Sequence, residues 1–381
     1  MRVEADFIND PASLAIFELL AAAGYPAYFV GGCVRNALIA APVADIDIST
    51  PALPEQVTEV CRDGGLKVIP TGIEHGTVTV VSDGKPHEIT TFRKDVETDG
   101  RRAIVAFSTE MIDDAQRRDF TMNALYADAK GRVIDPLSGL SDLQARRVRF
   151  ILDADQRIKE DYLRSLRFFR FHAWYGDPDS GLDADALAAI SDNLDGLDHL
   201  SAERVGAEMI RLLAAPDPAS ALAAMTQTGV LGRIIPGSDP KDVAPLVHLE
   251  GKRPPDAMRR LAALGGQDVA DRLRLSRAQE RQLEVLRAGM GSAESAGTLG
   301  YRHGAEPAFD ILLLRHASMG TVPDPRDIAA AAIGARQVFP IKAADLMPEL
   351  SGAHLGKRLK ELEEIWIKSD FRLSKSDLLG Q

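Results

Sequence analysis

The run Asp45-Ile46-Asp47-Ile48-Ser49 alternates carboxylate and apolar side chains. On a β-strand this period of two puts Asp45 and Asp47 on one face and turns Ile46 and Ile48 toward a core. Carboxylates so placed suit a hard cation. Mg²⁺ takes carboxylate oxygens together with substrate phosphates, and two such ions about 3.5–4 Å apart can activate a 3′-hydroxyl while neutralising a triphosphate. A solvated pair at a strand end has the same pattern, and the spacing alone does not choose. Glu88, in His87-Glu88-Ile89-Thr90-Thr91-Phe92-Arg93, lies on a second strand-like run whose polar face could adjoin the first. It is the candidate third carboxylate; an edge-strand glutamate would look the same in sequence. Upstream, Tyr28-Phe29-Val30 enters Gly31-Gly32-Cys33-Val34-Arg35, a strand passing through two glycines into a helix. Such a turn lets backbone N–H groups approach a phosphate, with Arg35 as an added cation, although an ordinary tight turn reads the same way.

The elements that must position these groups fall into two kinds. Short β-rich runs (AYFVGG, DIDIST, GTVTVV, HEITTFR) and a helical Pro54 to Asp63 make the first third an α/β region. After about Arg146 the strand signals stop, and EDYLRSLRFFRFHAWYG, ALAAISDNL, SAERVGAEMIRLLAA, ASALAAMTQTGVL and GKRLKELEEIWIKS follow with helical spacing. Breaks are expected at Gly176 to Ser180, Pro216 to Pro218, Pro236 to Pro240 and Gly289 to Gly300, and the charge-rich Asp95 to Ala115 reads as a mobile loop beside the site.

Five motifs occur in an order that resembles the class II nucleotidyltransferases, the bacterial and eukaryotic CCA-adding enzymes and bacterial poly(A) polymerases. They are Gly31-Gly32-x-x-Arg35 with Asp45-x-Asp47, Arg117-Arg118-Asp119-Phe120-Thr121-Met122-Asn123-Ala124-Leu125, Asp135-Pro136-Leu137-Ser138-Gly139, Glu160-Asp161-Tyr162-Leu163-Arg164-Ser165-Leu166-Arg167, and Glu203-Arg204. The resemblance covers residues 25 to about 215. One departure is Asn36, where that family usually has Asp. The resemblance implies an α+β fold: a polymerase-beta-like catalytic head over residues 1–145, a helical neck over 146–200, a body over 201–300 and a tail over 301–381. It further implies that Arg117 or Arg118 grips a triphosphate, that Asp119 and Asn123 orient the sugar or neighbouring arginines, and that the segment holding Asp161, Arg164 and Arg167 selects the nucleotide.

Asp161 and Arg164 stand three apart on a predicted helix, hence on one face, where a simple ion pair is the plain explanation. The same pair could read a base. A carboxylate accepts from the exocyclic amine of C or A and a guanidinium donates to the adjacent ring nitrogen, whereas U and G present the opposite pattern. Arg167, one turn on, would touch the base or hold Asp161. None of the eight histidines precedes an Asp, so the HD phosphohydrolase motif is absent; His75 suits a turn or core position.

The formal net charge of −11 argues against indiscriminate nucleic-acid binding, but its distribution is uneven. Met1 to Gly64 holds nine acidic and three basic residues, a net of −6, and Gln144 to His172 holds eight basic and four acidic, a net of +4. RNA contact is therefore expected in the middle of the chain. Lys357 to Lys360 and Lys368 to Lys375 could add phosphate contacts or form a solvated helix face. Glu4, Asp6 and Asp10 oppose a secretory signal, no apolar run reaches about 20 residues, and Cys33 and Cys61 are too few for a disulfide framework or a four-ligand zinc site. The expectation is a cytoplasmic enzyme, not membrane-bound, that adds CCA to tRNA from CTP and ATP with Mg²⁺. The stretch Thr71 to Val80 resembles the corresponding stretch of CCA-adding enzymes more than the basic, Phe-containing one of bacterial poly(A) polymerases, and that resemblance implies the former. A partial CC- or A-adding enzyme, or a non-catalytic RNA-binding protein on the same scaffold, would share much of the pattern.

Overall fold

Among the described residues the chain forms nine strands: β1 (Tyr28–Val30), β2 (Asp47–Thr50), β3 (Lys67–Gly72), β4 (Thr77–Ser82), β5 (Lys85–Thr91), β6 (Arg93–Asp99), β7 (Arg102–Phe107), β8 (Tyr126–Ala127) and β9 (Val133–Ile134). The computed structural model describes residues 1–99, 102–347 and 349–380. Seven strands form one sheet in the order β3-β4-β5-β2-β1-β8-β9, and β6 and β7 form a separate antiparallel pair. The sheet is antiparallel except where β2 and β5 run parallel, with Asp47 opposite Glu88 and Ile48 opposite Ile89.

Period-two alternation decides which face is core. Phe29, Ile48, Ile89 and Val78 stand in one row across four strands, each with 1% exposure or less. The rings of Phe17, from helix α1 (Pro11–Ala22), and of Phe7 close on Phe29 at 4.5 and 5.0 Å. Full burial of such a side chain is worth about 1.5–3 kcal/mol, so this row outweighs any preference of the polar residues between. The opposite row, Thr79, Glu88 and Asp47, is thereby turned to the other face, where Thr79 is buried and Glu88 and Asp47 are exposed.

Two short helices follow strands on this sheet. Gly31, at φ 72°, takes the left-handed turn from β1 into α2 (Gly32–Leu38), and α3 (Pro54–Asp63) starts with proline in its first position. α4 (Met111–Gln116) precedes β8, and past β9 α5 (Gly139–Gln144) leads into the helical segments α6 (Ala154–Glu160), α7 (Leu163–Tyr175), α8 (Ala184–Asp192), α9 (Ala202–Leu213), α10 (Ala219–Gln227) and α11 (Val230–Ile234). The Asp135 carboxylate accepts from the N–H groups of Gly139 and Leu140, satisfying the first turn of α5. An added Cβ at Gly139 would stand 2.1 Å from the Thr121 carbonyl oxygen, so only glycine permits that approach.

Three expectations are corrected by the fold. Asp45 precedes β2 and is outside the ladder; continuing the parallel register would set it opposite Pro86, which has no N–H to donate. The segment expected as a mobile loop contains the β6–β7 hairpin and α4, although Gly100 and Arg101 lie outside the described residues. The run read as one helix from Glu160 breaks at Asp161, whose φ of −155° and ψ of 105° are extended and whose side chain accepts from the Leu163 N–H at 3.1 Å.

The chain divides into two compact units, Met1–Ile234 and Ile235–Gln381. Among described residues of the second there is no strand; its helices run from α12 (Val243–Glu250) through α13 (Ala257–Leu264), α14 (Val269–Arg272), α15 (Arg277–Gly291), α16 (Ala296–His303), α17 (Ala305–Met319), α18 (Pro325–Gly334) and α19 (Gly352–Lys368) to α20 (Lys375–Leu379). Of the expected break from Gly289 to Gly300, only residues 292–295 lie outside helices. Glycines bring α16 and α18 into backbone contact: a Cβ at Gly334 would meet the Gly297 carbonyl oxygen at 2.0 Å. A separate aromatic cluster gathers Tyr301, Trp366 and Phe371. Glu250, Arg259, Arg260 and Asp310 form a buried charged network in the same unit. Among the described residues no helix is long and apolar enough to cross a membrane.

Candidate active site

Within the first unit a cleft of about 460 Å³ collects ten of the residues singled out from the sequence: Gly31, Gly32, Arg35, Asp47, Arg118, Asp119, Asn123, Asp161, Arg164 and Arg167. Asp45 and Glu88 line an adjoining hollow of about 720 Å³, with Asp47 common to both. Arg117 lies outside both linings; its carbonyl accepts from Arg157 and, at 3.4 Å, from Arg164. The cleft thus joins the open face of the sheet to the start of α7, and Arg204 of α9 completes it.

Asp47 keeps a side open to solvent, yet packing around it pushes its carboxyl above the ordinary carboxylate value. Glu88 and Asp45 push the same way, and Arg118 opposes them. Among the described residues no three His, Cys, Asp or Glu side chains converge tightly enough to hold an ion alone. The mutual repulsion at Asp47 is what a divalent cation would relieve, so Asp45 and Asp47 fit such an ion, with Glu88 beside them.

The arginines are held mostly by carboxylates of this chain. Arg118 donates through Nε and Nη2 to the buried Asp114 at 3.3 and 3.0 Å, and Tyr126 Oη donates to the same carboxylate at 2.8 Å. Arg167 donates to Asp119 through Nε at 2.8 Å and Nη2 at 2.5 Å. Asp119 also accepts from Asn123 Nδ2 at 2.8 Å and from the Phe120 N–H at 2.9 Å. Its carboxyl sits at about 2: burial works against the charge, and Arg167 and these donors overcome it.

Asp161 and Arg164 make no ion pair with each other. Asp161 accepts from Arg204 Nη2 at 2.7 Å, while Arg164 donates to Glu160 and to the Arg157 carbonyl. Arg167 holds Asp119 where the sequence suggested Asp161 or a base. Arg35 donates to Asn123 Oδ1, to Asn36 Oδ1 through Nε and Nη2 at 3.0 and 2.8 Å, and to Tyr175 Oη at 2.9 Å. Gly31 offers no N–H to a ligand, since its own donates to the Leu125 carbonyl at 3.1 Å.

Several contributors carry no signal in the sequence. Phe171 lines the cleft and lies under the guanidiniums of Arg35, Arg167 and Arg170 at 5.1, 5.4 and 4.7 Å, where its quadrupole favours them. Asp114 and Tyr175 act behind the lining; Asp114 sits in an acidic pair, Asp113-Asp114, that reads as solvated surface. Arg204 is visible in the sequence only as half of the Glu203-Arg204 motif. His75 is an exposed turn residue whose carbonyl accepts from Arg93, and Cys33 and Cys61 are buried free thiols, each pushed up to about 11 by that burial.

Residues 27–149 match the family model described as the Poly A polymerase head domain, and residues 181–241 the one described as the probable RNA and SrmB-binding site of polymerase A. Over the first of these segments the chain is similar to that head domain.

More particularly, it is 41% identical over 227 residues to the CCA-adding enzyme of Geobacillus thermodenitrificans (strain NG80-2), covering 59% of this chain and 54% of that protein. To the CCA-adding enzyme of Streptococcus sanguinis (strain SK36) it is 40% identical over 233 residues, 61% of this chain and 57% of that one. The chain thus spans about half the length of the curated relatives it matches. The solved Bacillus stearothermophilus CCA-adding enzyme in complex with CTP superposes with a TM-score of 0.77 at 29% identity, covering 95% of this chain and 94% of that one. The Thermotoga maritima CCA-adding enzyme complexed with tRNA_CCA shares the fold, with a TM-score of 0.70 at 17% identity over 100% of this chain and 98% of that one.

Proposed function

We propose that this chain is a template-independent, cytoplasmic CCA tRNA nucleotidyltransferase, extending the 3′ end of tRNA with CTP and ATP and releasing pyrophosphate. In this reading residues 1–145 are the catalytic head, 146–200 the neck, 201–300 the body and 301–381 the tail. The observation that carries it is the single cleft uniting Asp47 of the sheet with Asp161, Arg164, Arg167 and Arg204 of the helical segment.

Asp45 and Asp47 would hold Mg²⁺, with Glu88 as the third carboxylate; such an ion would supply charge neutralisation at the triphosphate and a lowered pKa for the attacking hydroxyl. Arg118, held in place by Asp114, faces the triphosphate, and Gly31 and Gly32 keep the cleft floor free of side chains. Asp119 and Asn123 fix Arg167 and Arg35, and Arg117 supports this array from behind the lining through its carbonyl. Each carboxylate oxygen has two lone pairs, so Asp161 still accepts from the exocyclic amine of C or A while bound to Arg204. Arg164 has five N–H donors and uses three in the bonds to Glu160, Arg157 and Arg117, leaving donors for the ring nitrogen. A carbonyl on U or G would face Asp161 acceptor to acceptor, a mismatch costing about 1–3 kcal/mol in a buried site.

The deciding experiment is sequencing of products after incubation with tRNA transcripts lacking CCA, with CC-ended transcripts and with an unstructured RNA. Addition of CCA that stops at A on the first, and of a single A on the second, is expected. An extended A tract on the unstructured RNA would favour a poly(A) polymerase, and addition only of CC or only of A a partial enzyme.

A further inference from the structure

Arg157, on α6, is 4% exposed and lies outside the linings of both the cleft and the adjoining hollow, yet it ties the two sides of the cleft together. Its Nη2 donates to the carbonyls of Arg117 and Arg118, at and just past the end of α4, and its Nη1 to the Glu160 carboxylate. Carbonyls at the end of a helix lack an N–H from within it, and a donor from elsewhere satisfies them. The same helix carries Asp114, which holds the Arg118 guanidinium. Arg157 thus grips the backbone of the residue whose side chain faces the triphosphate.

Arg164, in the first turn of α7, is held by the same group. Its Nη1 donates to the Arg157 carbonyl at 2.9 Å and to the Glu160 oxygen that Arg157 also uses, and its Nη2 reaches the Arg117 carbonyl at 3.4 Å. One carboxylate oxygen therefore bridges the two guanidiniums. Arg164 points where Arg157 and Glu160 place it, and Arg157 is itself fixed by the end of α4. A group displaced by about 1 Å from its productive geometry can lose roughly a hundredfold in rate, so the residues behind a base-reading donor matter as much as the donor. Lysine cannot replace Arg157 here. Its charge is a single nitrogen, whereas the guanidinium sets one nitrogen on the carboxylate and another on the carbonyls in one rigid plane.

We propose that Arg157 is a positioning residue for base choice: it aligns the Arg164 guanidinium, which faces the base, with the turn carrying Arg118, which faces the triphosphate. It touches neither part of the nucleotide. The role rests on the nucleotidyltransferase reading of this cleft, and it means that Arg157 acts on selection only through Arg164.

The test is a double-mutant cycle in the full chain, comparing wild type, Arg157→Lys, Arg164→Ala and the double variant. Two quantities are measured: kcat/KM for CTP and UTP on a tRNA transcript lacking CCA, and the affinities of CTP and UTP by calorimetry without RNA. Arg157→Lys is expected to reduce the preference for CTP over UTP about fivefold, and to leave it nearly unchanged in the Arg164→Ala background, because residues acting through one contact are not additive. A preference unchanged in Arg157→Lys overturns the proposal. So does an equal fall in both backgrounds, which is what a merely structural role would give. Glu160→Asp shortens the bridge from its other end and carries the same test if Arg157→Lys unfolds: the same background-dependent fall is expected, and an unchanged preference overturns the proposal. A wild type that binds CTP and UTP alike and adds neither to tRNA would defeat the functional reading and the proposal with it, whereas a selective wild type confines any failure to Arg157.

Discussion

Replacing Asp119 by Asn keeps the shape of the side chain and an acceptor for Asn123 Nδ2 and the Phe120 N–H, but removes the charge facing Arg167. In the folded protein this carboxyl sits at about 2 against an ordinary 3.8. At 1.36 kcal/mol per tenfold change in proton affinity, the gap of about 1.8 corresponds to about 2 kcal/mol of stabilisation at pH 7. Arg167 is 31% exposed in its side chain, so solvent trims the loss and about 1–2 kcal/mol is the expected destabilisation. Because the folded value is depressed, the contribution is complete well above 3.8 and is lost as pH falls toward 2; near pH 3 about 1 kcal/mol remains in the wild type. Urea unfolding from pH 7 to pH 3 reads this directly. Trp174 is the one tryptophan of the first unit, and a Trp366→Phe background confines fluorescence to that unit. The stability difference between wild type and Asp119→Asn should shrink as pH falls. A difference that is constant across that range would refute the argument, since the charge would then not be what Asp119 contributes.

Asp45→Ala or Asp47→Ala should abolish nucleotide addition in Mg²⁺ while tRNA binding by filter assay changes less than about threefold; near-normal turnover in either variant removes that residue from the metal site. Asp161→Ala and Arg164→Ala should each raise kcat/KM for UTP or GTP relative to CTP and ATP by about tenfold, and uniform loss with unchanged discrimination would assign selection elsewhere. Raising salt from about 50 to about 500 mM should weaken tRNA binding at least roughly a hundredfold if several phosphates are gripped, so a flat salt profile would contradict a basic groove. Gly334→Ala puts a Cβ on the Gly297 carbonyl and should lower the unfolding midpoint of the second unit, at a cost of about 1–3 kcal/mol, followed through Trp366 in a Trp174→Phe background. An unchanged midpoint would mean that α16 and α18 separate freely.

Period-two runs make β2, β4 and β5 visible because one face of each is buried, and Pro54 marks the first residue of α3. β3 is hidden because Pro70 interrupts it, which an edge strand tolerates, and β8 and β9 are two residues long, too short to show any period. Among site residues, those carried by contiguous motifs are legible, whereas Asp114, Phe171 and Tyr175 act through contacts that only folding creates. The partners of Asp161 and Arg164 differ from the expected ones because spacing on a helix assumes that both residues are in it. Asp161 instead uses its carboxylate to start α7, and it thereby meets Arg204 from 43 positions away.

The parallel alignment of β2 with β5 has a consequence for how this gene can vary. Ile48 and Ile89 lock the two strands into one alignment, and Asp47 and Glu88 are neighbours only in that alignment. Trading Ile48 for valine leaves it intact, but deleting one codon within β5 would turn Glu88 toward the helices and bring His87 out, since every side chain changes face together. Variation in length should therefore be purged from these two segments long before variation in residue type. It should accumulate between β6 and β7, whose pairing lies outside the main sheet, and a library of single-codon insertions and deletions would display that contrast as a map of tolerated lengths along the head.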